Sequence, residues 1–238
     1  MSIFLSVSFC ILVFGTLFKI HQYWQTPAPL KIATTPAPTT QSGVVLRMLR
    51  EVFLFESLFK SNKWIWLFGY LFHIALLFVL IRHLRYFIDP VWDWVIILQP
   101  LGKYSGFLMT AGLLALWGRR FLVDRIRYIS SPSDHLMLAL LIAIALSGLA
   151  MKYVAHTDII ATKAFGLGLI SLDWQPLPSH PILWIHLGLV GALLFVFPFS
   201  KLLHVPGLFF SPTRNQQDNP REYRHLAEWA RSTEKRTE

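Results

Sequence analysis

The sequence contains one cysteine, Cys10, and that scarcity removes several chemistries at once. No disulfide, no iron–sulfur cluster and no C-x-x-C-H covalent haem attachment can be assembled within the chain. A haem held here is held non-covalently, which defines a b-type site. Charge is also scarce: Asp, Glu, Lys and Arg make up 15% of residues, against ~25% in a soluble domain. Acidic residues are the scarcer sign, 13 against 22 basic, giving a net charge of +9. The first apolar run, Ser2 to Ile20, lacks the preceding basic residues of a cleaved signal peptide; its first charge, Lys19, comes at its end. That order predicts a retained first membrane helix with its N-terminus outside.

Apolar residues are abundant, at 54% of the chain with 15% aromatic, and the mean hydropathy is +0.49. They cluster in runs near the ~20 residues that cross a bilayer as a helix, so the expected class is all-α, an integral membrane bundle of five transmembrane helices. Residues 1–20 form the first helix. Residues 21–63 hold a Pro/Thr-rich linker (Thr26 to Thr40) and then an amphipathic stretch, Gly43 to Lys63. There Val45, Leu49, Val52, Phe53 and Phe59 recur at helical spacing beside basic residues, the pattern of a helix lying in the membrane interface. Residues 64–205 form a four-helix core with spans near Trp64–Phe87, Lys103–Phe121, Asp134–Tyr153 and 181–205. A turn over Ile88 to Pro100, a basic loop over Asp124 to Pro132 and a less apolar connection over Ala155 to Ser179 separate them. Residues 206–238 form a soluble tail.

With the N-terminus outside, seventeen of the basic residues fall on the inner side and five on the outer. This asymmetry follows the positive-inside rule with five spans and places the C-terminus on the cytoplasmic side of the membrane. The positive charge is therefore read as topology, not as nucleic-acid binding.

Four histidines stand inside predicted spans. His73 and His83 are ten residues apart; His186 and His204 are eighteen apart. Eighteen residues is five α-helical turns, so His186 and His204 are expected on one side of a single rod, ~27 Å apart, with Pro198 bending it. Histidine is an axial ligand for haem iron, and ionisable groups inside a membrane are usually functional or paired. The two helices run in opposite directions, so His83 is expected opposite His186 near the outer face, and His73 opposite His204 near the inner face. Two haem b groups would then be stacked across the membrane. Arg119 and Arg120, closing the third helix on the inner side, are candidates for the inner haem's propionates. Their other reading is as topology determinants. His135 is read as a polar helix start. His21, His156, His180 and His225 are read as solvent-facing. A histidine-bearing transporter for protons or metal ions, and a pure scaffold, are the alternatives.

The stretches Tyr70–His83 (YLFHIALLFVLIRH) and Ile185–His204 (IHLGLVGALLFVFPFSKLLH) resemble the γ subunit of respiratory nitrate reductase, a five-helix di-haem cytochrome b. The likeness covers roughly Trp64 to Val205. The tail Phe209–His225 and the Pro-Ala-Pro linker look closer to one branch, DsrM, the cytochrome b subunits of the Dsr membrane complexes of dissimilatory sulfur metabolism. The resemblance implies an electron-transfer subunit of a quinone-linked oxidoreductase complex. Its substrate would be menaquinone or ubiquinone, and Lys103 would stand beside the quinone. The family has glycine just before the outer ligand, where this chain has Arg82, which bears on the same pocket. Implied partners are a cytoplasmic iron–sulfur subunit of heterodisulfide reductase type and other membrane and periplasmic subunits. A nitrate reductase γ-type quinol-oxidising subunit of another complex is the alternative within the resemblance.

Overall fold

The computed structural model describes residues 1–26, 32, 33 and 35–219. Every regular element among them is helical. The longer ones are α1 (Ser2–Gln25), α2 (Gln41–Leu54), α4 (Lys63–His83), α5 (Asp93–Leu122), α7 (Pro132–Tyr153), α8 (Ile159–Ser171) and α9 (Pro181–Val196). Short helices are α3 (Glu56–Ser61), α6 (Asp124–Ile129), α10 (His204–Gly207) and α11 (Pro212–Asn215). Among the described residues, four stretches are long and apolar enough to cross a membrane: Ser2–Gln25, Lys63–Tyr86, Pro132–Tyr153 and Pro181–Phe199. None buries more than 22% of its most apolar window within the chain. A water-soluble chain does not leave that much apolar surface bare, so the exposed faces are lipid-facing and the protein is multi-pass.

The chain divides into two compact units. The first comprises residues 1–16 and 57–200. Local chemistry sets its helix starts. The Asn62 side chain accepts from the Ile65 amide at 3.0 Å to open α4. Ser131 and Asp134 form a reciprocal capping box that opens α7 after a helix-compatible proline, Pro132. The α4 and α5 helices run antiparallel at close range, and two glycines allow it. A Cβ on Gly102 would stand 2.8 Å from the Phe78 carbonyl oxygen, and one on Gly112 would stand 3.1 Å from that of Phe68. Ten residues forward along α5 correspond to ten residues back along α4, as antiparallel rods require. The core beneath this crossing is Phe72, Ala75, Met109, Leu113, Ile142 and Ala145, from α4, α5 and α7. With no hydrophobic drive between helices in lipid, small residues of this kind supply the contact area that holds spans together. The α9 helix packs on α7, and α1 lies along α9 where Phe4 meets Gly191.

The second unit comprises residues 17–56 and those from 201 on. Its organiser is α2, whose Thr40 cap accepts from the Gly43 amide at 3.2 Å. The tail packs against it through an ion pair from Arg214 to the buried Glu51 at 3.7 Å. The Asp218 amide donates to the Pro38 carbonyl at 2.9 Å, and the Gln217 side chain donates to the Thr39 carbonyl. The linker and the described part of the tail are thus joined by backbone hydrogen bonds.

Several expected boundaries move. The third core helix begins at Asp93, not Lys103, and carries Pro100 inside it. The turn expected over Ile88 to Pro100 is therefore mostly helix. Proline forfeits only one intrahelical bond, and within a packed bundle neighbouring groups absorb that loss. The last span is not one rod from 181 to 205. The α-helix ends at Val196, Phe197–Phe199 form a 3₁₀ turn, and Ser200 is extended with ψ 173°. Pro198 cannot donate to the carbonyl four residues back, and its ring crowds that carbonyl. His204 therefore opens the separate helix α10, and the five-turn geometry that put it on one face with His186 does not apply. The connection after Tyr153 contains α8, capped by Asp158 and tied to the loop between α4 and α5 by a 2.6 Å Lys163–Asp89 ion pair. The stretch from 43 to 63 is broken at Phe55, in the left-handed region with φ 51°. The first helix runs on past Lys19 to Gln25.

A candidate haem-binding pair and an adjoining cavity

His83 ends α4 and His186 lies in the first turns of α9. Their ring centroids are 6.4 Å apart and their planes 14° apart. A metal between two imidazoles needs bonds of ~2 Å on each side, with each ring centre about 1 Å behind its nitrogen, so about 6 Å from centre to centre. The observed spacing meets that requirement. His186 is buried at 8% exposure against α7, where the absence of a side chain on Gly148 leaves the ring room.

The second nitrogens decide which tautomer each ring holds. The Nδ1 of His83 donates to the Val79 carbonyl at 2.7 Å, and that of His73 to the Gly69 carbonyl at 2.7 Å. His204 Nδ1 donates to the Lys201 carbonyl at 3.0 Å. His186 Nδ1 bonds the Ser147 hydroxyl at 2.9 Å. A ring with its proton on Nδ1 carries its lone pair on Nε2, the arrangement of metal-ligating histidine. His135 is the contrasting case. Its Nδ1 accepts from the Trp117 indole at 3.2 Å, so its proton belongs on Nε2. That agrees with the structural role expected of it. His180, expected in solvent, instead has a buried Nδ1 without a hydrogen-bond partner among the described residues. His225 lies outside the described residues.

The structure brings His83 and His186 together inside the first unit. His73 sits one helical stretch earlier on α4, edge-on to the Phe72 ring. His204 belongs to the second unit and is exposed within the chain. Arg120 bonds Ser130 at 2.9 Å and stands 3.6 Å from the buried Asp134, so its charge is balanced by the α7 cap. Arg119 precedes it at the half-buried end of α5.

Beyond His83, Arg82, Arg85, Gln99, Pro100, Lys103, Tyr104 and Lys152 line a cavity of about 380 Å³. It unites Lys103 and Arg82, the two residues singled out from the sequence. Arg82 donates to the Gln99 carbonyl at 3.0 Å. The Tyr153 hydroxyl donates to the Lys103 carbonyl at 3.0 Å, and the Lys103 ammonium lies 5.3 Å from the Tyr104 ring centre. Both polar atoms of the Gln99 side chain are buried without a partner among the described residues. Four cations and an unsatisfied amide make this a cavity rich in donors for a carbonyl or anionic oxygen. Sequence reading missed Gln99, Arg85 and Lys152 here, and Ser147 beside His186. The signal for Ser147 was available: a lone hydroxyl inside an apolar span tends to bond across helices.

The chain is 36% identical to the Hdr-like menaquinol oxidoreductase cytochrome b-like subunit of Archaeoglobus fulgidus, in an alignment covering 94% of this chain and 81% of that protein. It is 34% identical to the protein of the same description from Archaeoglobus profundus, over 94% of this chain and 80% of that protein. The nitrate reductase gamma subunit family matches residues 42–225, which include all four intramembrane histidines expected from the sequence. The chain belongs to the nitrate reductase gamma subunit family.

Proposed function

We propose that this chain is the di-haem b membrane subunit of a quinone-linked respiratory complex. The observation that carries the reading is the His83–His186 pair, 6.4 Å apart with nearly parallel rings, and its Nδ1 hydrogen bonds. His83 and His186 hold one haem toward the outer face; His73 and His204 hold the second toward the inner face. Haem iron supplies one-electron exchange when bound. The chain supplies the rest: it fixes imidazole tautomers, keeps water from the pair with apolar helices and spaces the sites along α4. The ten residues from His73 to His83 separate these ligands by ~15 Å along the helix. The α5 helix, antiparallel to α4 and packed against α7, is the fifth span. Its alternation with α4, α7 and α9 supports an N-terminus outside and a cytoplasmic C-terminus. Arg119 is the remaining candidate for an inner propionate, since Arg120 is balanced by Asp134.

The cavity beside His83 is the quinone site in this reading, with Lys103 and Arg82 as the donors to the quinone oxygens. The names of the archaeal relatives favour menaquinol as substrate and a place in an Hdr-like complex; the cytoplasmic iron–sulfur subunit of heterodisulfide reductase type, as electron partner, rests on the resemblance of the sequence. Dissimilatory sulfur metabolism in a bacterial or archaeal inner membrane is the setting that the tail favours.

A spectrum of the purified protein tests the reading. Dithionite is expected to produce a b-type α band, and the pyridine haemochrome assay to give two haems per chain. A colourless protein would exclude the cytochrome and favour a histidine-bearing transporter or scaffold. For the quinone site, Lys103→Ala is expected to leave haem content unchanged. It should slow haem reduction by a menaquinol analogue about 100- to 1000-fold, the usual cost of removing one positioned donor. An unchanged rate in stopped-flow traces would move the quinone elsewhere.

A further inference from the structure

Three of the four intramembrane histidines donate Nδ1–H to a backbone carbonyl three or four residues back on their own chain. His186 differs, because a side chain on another helix, the Ser147 hydroxyl, also meets its Nδ1, at 2.9 Å. That hydroxyl has one hydrogen, and it donates it to the Ile144 carbonyl at 3.0 Å. Its oxygen is therefore left to accept, and His186 Nδ1 must be the donor. The relay runs from the Ile144 carbonyl through the Ser147 hydroxyl to the His186 ring, and it places the lone pair of His186 on Nε2.

We propose that Ser147 is the positioning residue that sets the orientation and donor strength of His186, and so the reduction potential of the outer haem alone. The proposal rests on the haem reading above and adds to it the residue through which one site can be tuned independently. An acceptor on Nδ1 pushes electron density into the ring and makes Nε2 a stronger donor, which favours the oxidised metal. Hydrogen bonds to backbone carbonyls cannot be changed by substitution; this one can. Ser147 also joins α7 to α9, the helix pair on which His186 depends for its place. Gly148, the next residue, keeps the ring's flank clear: a Cβ there would stand 3.4 Å from His186 Cε1.

The test uses full-length protein carrying Ser147→Ala and Ser147→Thr, with the pyridine haemochrome assay and an optical redox titration. The Ile144 carbonyl also faces the His186 ring and remains in both variants, so the site is expected to keep its haem. Ser147→Ala is expected to raise the midpoint potential of one haem and leave the other unchanged, and Ser147→Thr to restore it. Loss of one haem in Ser147→Ala that Ser147→Thr reverses would also support the positioning role. Two haems with unshifted potentials in Ser147→Ala would overturn the proposal while leaving the haem reading intact. Loss of a haem in both variants would overturn it as well, by reducing Ser147 to packing. A haem-free unaltered protein would defeat the underlying reading instead, and the two failures are told apart by that control.

Discussion

His186→Ala is expected to abolish the low-spin signature of one haem and lower bound haem to roughly half, while His135→Ala leaves it unchanged. The two residues lie on neighbouring helices and both make side-chain hydrogen bonds, yet the hydrogen bonds are of opposite sense. His186 Nδ1 donates toward Ser147; His135 Nδ1 accepts from Trp117. Only the first leaves Nε2 as the metal-ready nitrogen. The pairing predicts more than single losses. His83→Ala should remove the same haem as His186→Ala, and the double variant should lose no more than either alone, because partners in one site are not additive. His73→Ala combined with either should remove the rest. Pyridine haemochrome content and the ferric low-spin EPR signals distinguish these outcomes. Additive losses from His83→Ala and His186→Ala would mean that the two rings serve different metals, whatever their 6.4 Å spacing.

Gly102→Ala is expected to destabilise the bundle by about 1–3 kcal/mol, the usual range for overpacking. The added carbon would stand 2.7 Å from Arg82 Cβ and 2.8 Å from the Phe78 carbonyl oxygen. The second neighbour is backbone and cannot rotate away, so α4 and α5 must separate. The helix-propensity gain of alanine over glycine, about 1 kcal/mol, opposes this but is smaller than the upper part of that range. The strain falls on the residue beside His83 and on the wall of the cavity, so quinol-driven reduction should slow along with the loss of thermal stability. Leu136→Ala, at a position 71% exposed, should change stability by no more than about 0.5 kcal/mol. Thermal unfolding in detergent, followed by the haem band, measures both. Equal stability for Gly102→Ala and the unaltered protein would show that the α4–α5 contact tolerates a wider separation.

Much of this protein follows from the order of its residues. Apolar runs near 20 residues, broken by Pro, Asp and Arg clusters, are sufficient for a helical membrane bundle, because backbone groups in lipid must be satisfied within each span. The ten-residue interval between His73 and His83 was readable for the same reason: α4 is regular from Lys63 to His83. The eighteen-residue interval between His186 and His204 was not. Counting turns assumes an unbroken helix, and Pro198 with the extended Ser200 ends it between the two histidines. Lys103 and Arg82 were both visible as cations near the outer ends of spans, but separated by twenty-one residues and a turn. Whether such charges meet depends on how far α5 extends. By starting at Asp93 and carrying Pro100 within it, the helix places Gln99, Lys103 and Arg82 around one cavity.

Sequence alone therefore determined the solvent this chain folds in and its all-helical class. Those depend on hydropathy and local periodicity, which act over a few turns. Tertiary structure decided the partners: that His83 meets His186, that the His186 ring meets the Ser147 hydroxyl on α7, and that Arg120 is balanced by Asp134. Each of these joins separate helices through contacts a few ångströms long, and their geometry is set by where helices bend, end and approach closely at a glycine.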